Sequence, residues 1–354
     1  MNNIYIIHLG IGQVGHSLAD QIMRVKDKLR DKYLINLIYC GLYNSCSGYY
    51  NPEGFSDDQL KKILDNLERK GQKKEVNDEV LNILNELHQP FILIDTTASE
   101  KTFPLIFSAL AKGGYAVLSN KKPLTMRQEE FDLLNQLGKD RLFYETCVGA
   151  GLPVISTLKD LIDTGDEILE IKGCFSGTLG YLFSQLEEGN PFSRAVLEAK
   201  NLGFTEPDPR DDLSGLDVVR KALILARMMG QKIELSDIKL EKLYIKEMEN
   251  LSVDKFLKTI NQMDEEYRKK FEKEKDNGKT LRFIANVSSN GCKVGMESVA
   301  KDSDLGSLKG PDNMIVFKTR RYFDRPMVIK GPGAGSEVTA AGVFADLLKV
   351  AGIE

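Results

Sequence analysis

No stretch of this 354-residue chain approaches the roughly 20 consecutive apolar residues that a helix needs to cross a bilayer. The first apolar run is also too short, and too poor in basic residues before it, to read as a secretory signal. Cysteine is scarce: Cys40, Cys46, Cys147, Cys174 and Cys292 are odd in number, scattered and without metal-ligand spacing. That excludes a disulfide scaffold and a zinc framework, and it is the pattern of reduced thiols in a cytoplasmic protein. Histidine is scarcer still, with His8, His16 and His88 all near the start, so no cysteine–histidine pair is expected in the second half. An excess of positive charge is missing too. The net charge is −4 and the pI about 5.7. Nucleic acid and anionic membrane are therefore not expected as main partners. Internal repeats and low-complexity segments are absent, and the length exceeds one ordinary core, so two domains are expected.

Against these absences stands one dense run, from Glu206 to Lys221, holding Asp208, Arg210, Asp211, Asp217 and Lys221. A proline- and acid-rich loop is expected to lead into a helix capped near Ser214 and ending near Gly230. On that helix Asp217 and Lys221 are neighbours one turn apart. Leu216, Val218, Val219, Ala222, Leu223, Ile224 and Leu225 make the rest apolar nearly all round, as in a buried helix. An acid–lysine pair there is costly to desolvate unless partners or chemistry require it. A surface ion pair is the plain alternative. The three carboxylates just upstream, in a loop stiffened by Pro207 and Pro209, favour a site.

The second signal is at the N-terminus. A short apolar strand, Ile4–Leu9, precedes Gly10-Ile11-Gly12-Gln13-Val14-Gly15 and a helical pattern from His16 to about Leu29. Strand, glycine turn and helix start form the dinucleotide-binding unit. Gly10 permits the tight turn, Gly12 lets backbone approach a pyrophosphate, and Gly15 lets the helix pack on the strand. The pyrophosphate would sit on unpaired helix N–H groups. His8, inside the strand, reads as packed.

Leu34–Cys40 reads as the next strand, running into Gly41-Leu-Tyr-Asn44-Ser45, and residues 57–88 as charged helices with an exposed loop at Gly71–Lys74. Phe91–Asp95 is a strand ending in Thr96-Thr97-Ala98-Ser99, and Tyr115–Ser119 one ending in Asn120-Lys121-Lys122, with a helix at Phe103–Lys112 between them. This alternation implies an α/β fold with a Rossmann-type, doubly wound parallel sheet. Gly10–Gly15, Thr96–Ser99 and Asn120–Lys122 are then expected to line one crevice at the carboxyl ends of the strands. Arg141–Thr146 reads as a further strand, and the glycine loop at 147–153 as the main boundary between domains over 1–150 and 151–334. In the second, α+β part, Ile168–Phe175 runs into a glycine turn at Ser176-Gly177-Thr178. Leu281–Val287, Lys293–Ala300 and Asn313–Lys318 read as antiparallel strands. The charged stretch at 240–276 reads as a solvated helix face, and a final helix runs to about Val350.

Taken in order, the glycine turn, Asn120-Lys121-Lys122-Pro123, the Glu206–Lys221 block and Gly333-Ala-Gly335-Ser-Glu-Val-Thr339 resemble the homoserine dehydrogenase family, collinearly over nearly the whole chain. The resemblance implies a nucleotide domain over 1–150 completed by the C-terminal helix at 335–354. It also implies a substrate-binding domain over 151–334 that forms a homodimer. At this length neither a fused aspartokinase nor an appended regulatory domain is expected. The implied reaction is reversible hydride transfer between C4 of the nicotinamide of NADP or NAD and the carbinol carbon of L-homoserine, giving L-aspartate 4-semialdehyde. Lys221 matches the proton-transfer lysine, with Asp217 beside it, and Lys121 the lysine near nicotinamide and substrate. Two ammonium groups at one oxygen lower each other's pKa, which suits that role. Cofactor contacts fall on the Gly10–Gly15 turn, Asn44, Ser45, Thr96, Thr97, Asn120, Lys121 and Gly335.

By the same resemblance Glu206 and Asp217 hold the substrate ammonium, Asp212 adds a polar contact, and Gly177 and Thr178 meet the remainder. A helix cap is the alternative for Thr178. Relatives often carry tyrosine where this chain has Phe204, so one phenolic hydroxyl is missing. The segment from Glu145 to Leu152 resembles a monovalent cation site, with sodium held by Glu145 and the carbonyls of Val148, Ala150 and Leu152. Its alternative is a glycine hinge with Glu145 paired to a lysine. The second strand ends without an acid, so no carboxylate repels a 2′-phosphate, and NADP is expected over NAD. Two competing functions are an aspartate semialdehyde dehydrogenase, which needs the cysteine–histidine pair this chain lacks, and a nucleotide sensor without turnover, against which Lys121, Asp217 and Lys221 argue.

Overall fold

The computed structural model describes residues 2–67 and 76–353, so the loop expected at Gly71–Lys74 lies outside the described residues. The chain divides into two compact units, Met1–Gly151 with Ala334–Glu354, and Leu152–Gly333.

The first unit runs β1 (Asn2–Leu9), α1 (Gln13–Tyr33), β2 (Ile35–Tyr43), β3 (Gly48–Tyr50), α2 (Asp57–Leu67), α3 (Val76–Glu86), β4 (Phe91–Asp95), α4 (Phe103–Ala111), β5 (Tyr115–Leu118), α5 (Gln128–Gly138) and β6 (Leu142–Phe143). Its sheet has the order β3-β2-β1-β4-β5-β6, parallel except for β3, which pairs antiparallel with β2. Ile6, Ile92, Ile94 and Val117 are fully buried strand residues, as expected of parallel strands covered on both faces. Leu18 and Ile22 of α1 join the same core. The strand order reverses between β1 and β4, and in doubly wound sheets ligands bind at that reversal.

Two expectations change here. The second strand continues through Gly41 to Tyr43 because the Gly10 N–H donates to the Tyr43 carbonyl at 2.8 Å, prolonging the pairing. The strand expected over Arg141–Thr146 is only Leu142–Phe143; Tyr144 leaves the extended region, and Glu145–Cys147 form a helical turn. The Glu145 N–H donates to the Asp346 carboxylate at 2.9 Å, so a side chain from the terminal helix takes the place of a neighbouring strand.

The second unit runs α6 (Val154–Asp163), β7 (Ile168–Cys174), α7 (Gly177–Glu187), α8 (Phe192–Asn201), α9 (Pro209–Leu213), α10 (Leu216–Met228), β8 (Lys239–Leu240), α11 (Val253–Thr259), α12 (Asp264–Asp276), β9 (Lys279–Ser288), β10 (Gly291–Ala300), α13 (Asp304–Ser307), β11 (Asp312–Thr319) and β12 (Met327–Pro332). Its sheet, β12-β11-β7-β9-β10-β8, is antiparallel apart from the short β8–β10 pairing. The charged α12 is solvated on one face by i,i+4 pairs such as Arg268–Glu272 at 2.7 Å. Such pairs contribute only about 0.3–0.5 kcal/mol each, so the helix is anchored by Tyr267 and Phe271, which bury against Phe192 and Phe183.

The loop-then-helix expected around Ser214 is two helices. Asp208 caps α9 through its side chain, Pro209 opens it, and Ser214 ends it. Gly215, at φ 70°, then redirects the chain into α10. A Cβ there would also come within 2.7 Å of the Phe283 ring, so only glycine fits. The chain closes with α14 (Ser336–Val350), which returns to the first unit and packs on α1, burying Val343 and Leu347.

Candidate active site

In the first unit the glycine turn lies at the reversal of strand order. Gly10 has φ 93°, and a Cβ there would sit 2.6 Å from the Thr97 nitrogen. The Thr96–Thr97 backbone is thus in direct contact with the turn. Gly12 faces open space, and it caps α1 without a side-chain acceptor or an acid in the first turn. The helix start therefore offers its N–H groups to an anion. A dinucleotide pyrophosphate fits these residues.

Asp95 and Asn120 organise the neighbouring strand ends. The Asp95 carboxylate accepts from the Thr97 N–H at 2.9 Å and from Asn120 Nδ2 at 3.0 Å. The same Asn120 nitrogen lies 2.7 Å from the Ser99 carbonyl, and Asn120 Oδ1 accepts from the Lys122 N–H. Burial raises the Asp95 pKa, and the hydrogen bonds from Thr102, Asn120 and Thr97 oppose that rise. Asn120 thereby sets the chain direction at Lys121, whose ammonium acts on the buried Cys147 thiol, lowering a pKa that burial has raised. Sequence inspection missed Asp95 as a part of this knot, although its place at the end of β4 was the available signal.

At the end of β2, Asn44 Oδ1 accepts from the N–H groups of Cys46 and Ser47, both at 2.8 Å, closing the turn to β3. Ser45 stands at the tip of that turn, its hydroxyl 3.4 Å from Cys46 Sγ. Gly335, at φ 124°, precedes α14, with nothing within 4 Å of the position a Cβ would take.

Glu145 is 5 % exposed, and its Oε2 lies 3.6 Å from Lys349 Nζ, which also meets Asp346 Oδ1 at 2.9 Å. Asp346 is itself buried, and burial raises its pKa. Two carboxylates thus share one ammonium. The positive φ values of Gly149 and Ala150 form the loop beyond. Gly151 packs against the Val338 carbonyl of α14, where a Cβ would come within 2.5 Å. Glu145, Val148 and Ala150 belong to the first unit, and Leu152 opens the second. Nothing near Glu145 in sequence pointed to Asp346 or Lys349, which lie about 200 residues away.

In the second unit, Lys221 projects from α10 with 8 % exposure. Its ammonium donates to the Phe175 carbonyl at 2.6 Å and pairs with Asp217 Oδ2 at 2.8 Å, whose side chain is 48 % exposed. Phe175 follows the end of β7 and precedes Ser176, whose hydroxyl accepts from the Leu179 N–H and caps α7. The cap is Ser176 and not Thr178. Thr178 Oγ1 donates to the Phe204 carbonyl at 2.5 Å and lies 3.0 Å from Asp212 Oδ1, while Asp212 Oδ2 accepts from the Glu206 N–H at 2.8 Å. Gly177 packs against the Pro311 carbonyl. Burial raises the Asp212 pKa, and the negative charges of Glu206 and Asp217 add to the rise. Glu206, Asp212 and Asp217 therefore lie within electrostatic reach of one another, beside the buried Lys221.

Asp208 and Arg210 have different work. The Arg210 guanidinium meets both Asp208 carboxylate oxygens and donates to the carbonyls of Met248, Glu249 and Leu251. They tie α9 to the 246–251 segment. The missing phenol at Phe204 leaves a ring packed edge-on to Tyr181 at 5.1 Å.

A Rossmann-type unit followed by a mixed-sheet unit with an acid–lysine helix defines a two-unit α/β chain of the dehydrogenase type. The homoserine dehydrogenase family model matches residues 153–348. The bifunctional aspartokinase/homoserine dehydrogenase 1 of Arabidopsis thaliana is 36% identical over 350 residues, 97% of this chain and 38% of that protein. The bifunctional aspartokinase/homoserine dehydrogenase of Haemophilus influenzae is 37% identical over 347 residues, 96% of this chain and 42% of that one. The chain thus spans about two fifths of the length of these curated relatives. Among solved structures, a Candida auris protein of unknown function gives a TM-score of 0.87 at 31% identity, covering 99% of this chain and 98% of that one. A putative homoserine dehydrogenase from Archaeoglobus fulgidus gives 0.80 at 27%, covering 99% of each. A hyperthermophilic archaeal homoserine dehydrogenase solved with NADPH gives 0.74 at 24%, covering 98% and 97%, a likeness of fold. The chain belongs to the homoserine dehydrogenase family.

Proposed function

We propose that this chain catalyses the reversible, NAD(P)-dependent interconversion of L-homoserine and L-aspartate 4-semialdehyde. Lys221 carries this reading: a buried ammonium fixed between a carboxylate and a peptide carbonyl, in the block that matches the family. When bound, the nicotinamide supplies or accepts the hydride at its C4. Lys221 delivers a proton to the oxygen of the aldehyde as it is reduced, and takes one from the alcohol as it is oxidised. Its positive charge also stabilises the developing alkoxide. The Phe175 carbonyl and Asp217 hold the ammonium in one direction. Glu206 and Asp217 receive the substrate ammonium, Asp212 contributes to that acidic surface, and Gly177 and Thr178 line the start of α7.

In the nucleotide unit, over 1–150 with 335–354, Gly10 to Gly15 receive the pyrophosphate, together with Thr96, Thr97 and Gly335. Lys121, directed by Asn120, stands by the nicotinamide. Asn44 and Ser45 receive the adenosine ribose. The absence of a carboxylate at the end of β2 favours NADP over NAD. Oxidation of NADPH on addition of L-aspartate 4-semialdehyde tests the activity. No oxidation at any substrate concentration, with NADPH bound, would leave the nucleotide-sensor function instead.

A sodium ion at Glu145 and the carbonyls of Val148, Ala150 and Leu152 belongs to the same proposal. The two buried carboxylates that share Lys349 exceed its charge by one when both are ionised, and a monovalent cation would balance that excess. A homodimer through the second unit is proposed as well, with the exposed Tyr322, Phe323 and Val328 near its β11–β12 edge as apolar surface to cover. Sedimentation at micromolar concentration tests it. The five free cysteines suit a cytoplasmic setting, and among the described residues no helix is long and apolar enough to cross a membrane.

A further inference from the structure

His8 takes no part in the chemistry above, yet it is a fully buried polar side chain near the carboxyl end of β1. A strand covered on both faces ordinarily carries aliphatic residues at such a position. Its Nε2 lies 2.9 Å from Thr96 Oγ1, and that hydroxyl lies 2.6 Å from the Gly10 carbonyl. A hydroxyl has one proton, and a carbonyl has none. Thr96 therefore donates to Gly10, and His8 donates to Thr96 from Nε2. That assigns the neutral Nε2–H tautomer and leaves Nδ1 buried, without a hydrogen-bond partner among the described residues. Burial, helped by His16, pushes the imidazole down to about 3, which favours the same neutral form.

The Gly10 carbonyl at the end of this chain also accepts from the Gly12 N–H at 2.9 Å. The Gly10 N–H is held by Tyr43 at 2.8 Å. On its other side the His8 ring packs below Gly15, with Cε1 3.3 Å from the position a Cβ would occupy. The first peptide of the turn is thus held from β2, from the end of β4 and, through Thr96, from β1. With that carbonyl drawn inward, the N–H groups at the start of α1 are left to face a ligand.

We propose that His8 is a positioning residue for dinucleotide binding: it orients Thr96, which clamps the Gly10 carbonyl and sets the turn that receives the pyrophosphate. This rests on the nucleotide-binding reading of the first unit. An aliphatic side chain would fill the same strand position but could not direct the hydroxyl.

The test measures NADPH dissociation constants by its own fluorescence, together with kcat and the two KM values, for wild type, H8L, H8Q, T96V and T96S. Removing either end of a buried two-bond chain is expected to weaken NADPH about tenfold in H8L and T96V. The effect should fall on Kd and KM for NADPH, with KM for the aldehyde changed less than about twofold. The H8L/T96V double variant should bind no more weakly than either single one, because both break the same chain. H8Q, which presents an amide N–H at the reach of Nε2, and T96S, which keeps the hydroxyl, should recover most of the affinity. Wild-type affinity in H8L, or an H8Q as weak as H8L, overturns the proposal while leaving the nucleotide reading intact. Should H8L not fold, the contrast of T96V with T96S decides, with equal affinities overturning it. A wild type that does not bind NADPH at all removes the nucleotide reading, and the proposal with it.

Discussion

Replacing Lys221 with methionine keeps a side chain of similar length and removes only the ammonium. That ammonium stands 2.8 Å from Asp217 and 2.6 Å from the Phe175 carbonyl. Asp217 is 48 % exposed, so the carboxylate left behind keeps much of its hydration, and solvent screening makes the pair itself worth little. The Phe175 carbonyl suffers the buried loss, on the order of 1–3 kcal/mol for a stranded acceptor. The thioether shares its helix face with the buried Val218 and Leu225, one turn away on either side, which offsets part of that cost. A net loss of about 1 kcal/mol lowers the melting temperature by only about 2–4 °C in a unit of this size. Turnover should respond very differently. If Lys221 is the proton-transfer group, as proposed, its loss lowers kcat by roughly 10²–10⁴-fold, or about 3–5 kcal/mol in transition-state stabilisation. NADPH oxidation with L-aspartate 4-semialdehyde reads kcat, a thermal melt reads stability, and NADPH fluorescence, undisturbed by tryptophan in a chain that has none, reads coenzyme affinity. The expected pattern is a collapse of kcat with near-native melting and coenzyme binding. Turnover within a few-fold of wild type would refute the assignment of Lys221.

Lys121→Ala should lower turnover and weaken NADPH together, since this lysine follows the Asn120 knot at the strand ends where the nucleotide is proposed to bind; an effect on neither would remove it from the proposed site. Asn44→Asp keeps the oxygen that caps Cys46 and Ser47, so folding should be preserved. The new carboxylate is expected to shift the NADPH/NADH ratio of kcat/KM about ten- to a hundredfold toward NADH, and an unmoved ratio would place the 2′-phosphate elsewhere. For the cation, activity and melting temperature should be higher in sodium than in choline buffers, and equality in sodium, potassium and choline would leave no role for an ion beside Glu145. Asp212 concerns pH. The folded protein raises its pKa, so its contribution to stability is complete below the unfolded pKa and is lost as pH rises through the folded value. Burial and the charges of Glu206 and Asp217 disfavour its ionised form, against the hydrogen bonds it accepts from Thr178 and the Glu206 N–H. Asp212→Asn is neutral at every pH, so its melting temperature should gain on wild type as pH rises above the ordinary carboxylate pKa of about 4; a gap that does not widen with pH would count against it.

Much of the fold could be read residue by residue. Ile4–Leu9, Phe91–Asp95 and Tyr115–Ser119 are short apolar runs closed by Gly10, Thr96 or Asn120, and local chemistry of that kind survives folding with little change. The Asp217–Lys221 pair was legible for the same reason, since one helical turn fixes its spacing. The elements that escaped depend on distant partners. The strand before Glu145 stops early because Asp346 takes its next N–H. The helix expected from Ser214 begins at Leu216 because Phe283 and a positive φ leave Gly215 no other course. β12, exposed at alternate residues on a sheet edge, is defined by its pairing with β11 more than by its own composition.

By itself, then, the sequence determined most of the order of strands and helices, the glycine turn, the one-turn spacing of Asp217 and Lys221 and the lack of an acid after β2. All of these follow from periodicity, backbone freedom and charge within a few neighbouring residues. Only the tertiary structure decided what each charged group is for. It paired Arg210 with Asp208 and three carbonyls, gave Glu145 a lysine, placed Lys221 on the Phe175 carbonyl, and turned His8 from a packed residue into the first link of a hydrogen-bond chain to Gly10. Hydrogen-bond partners and burial are set by which surfaces meet, and residues far apart in the chain carry no local mark of that meeting.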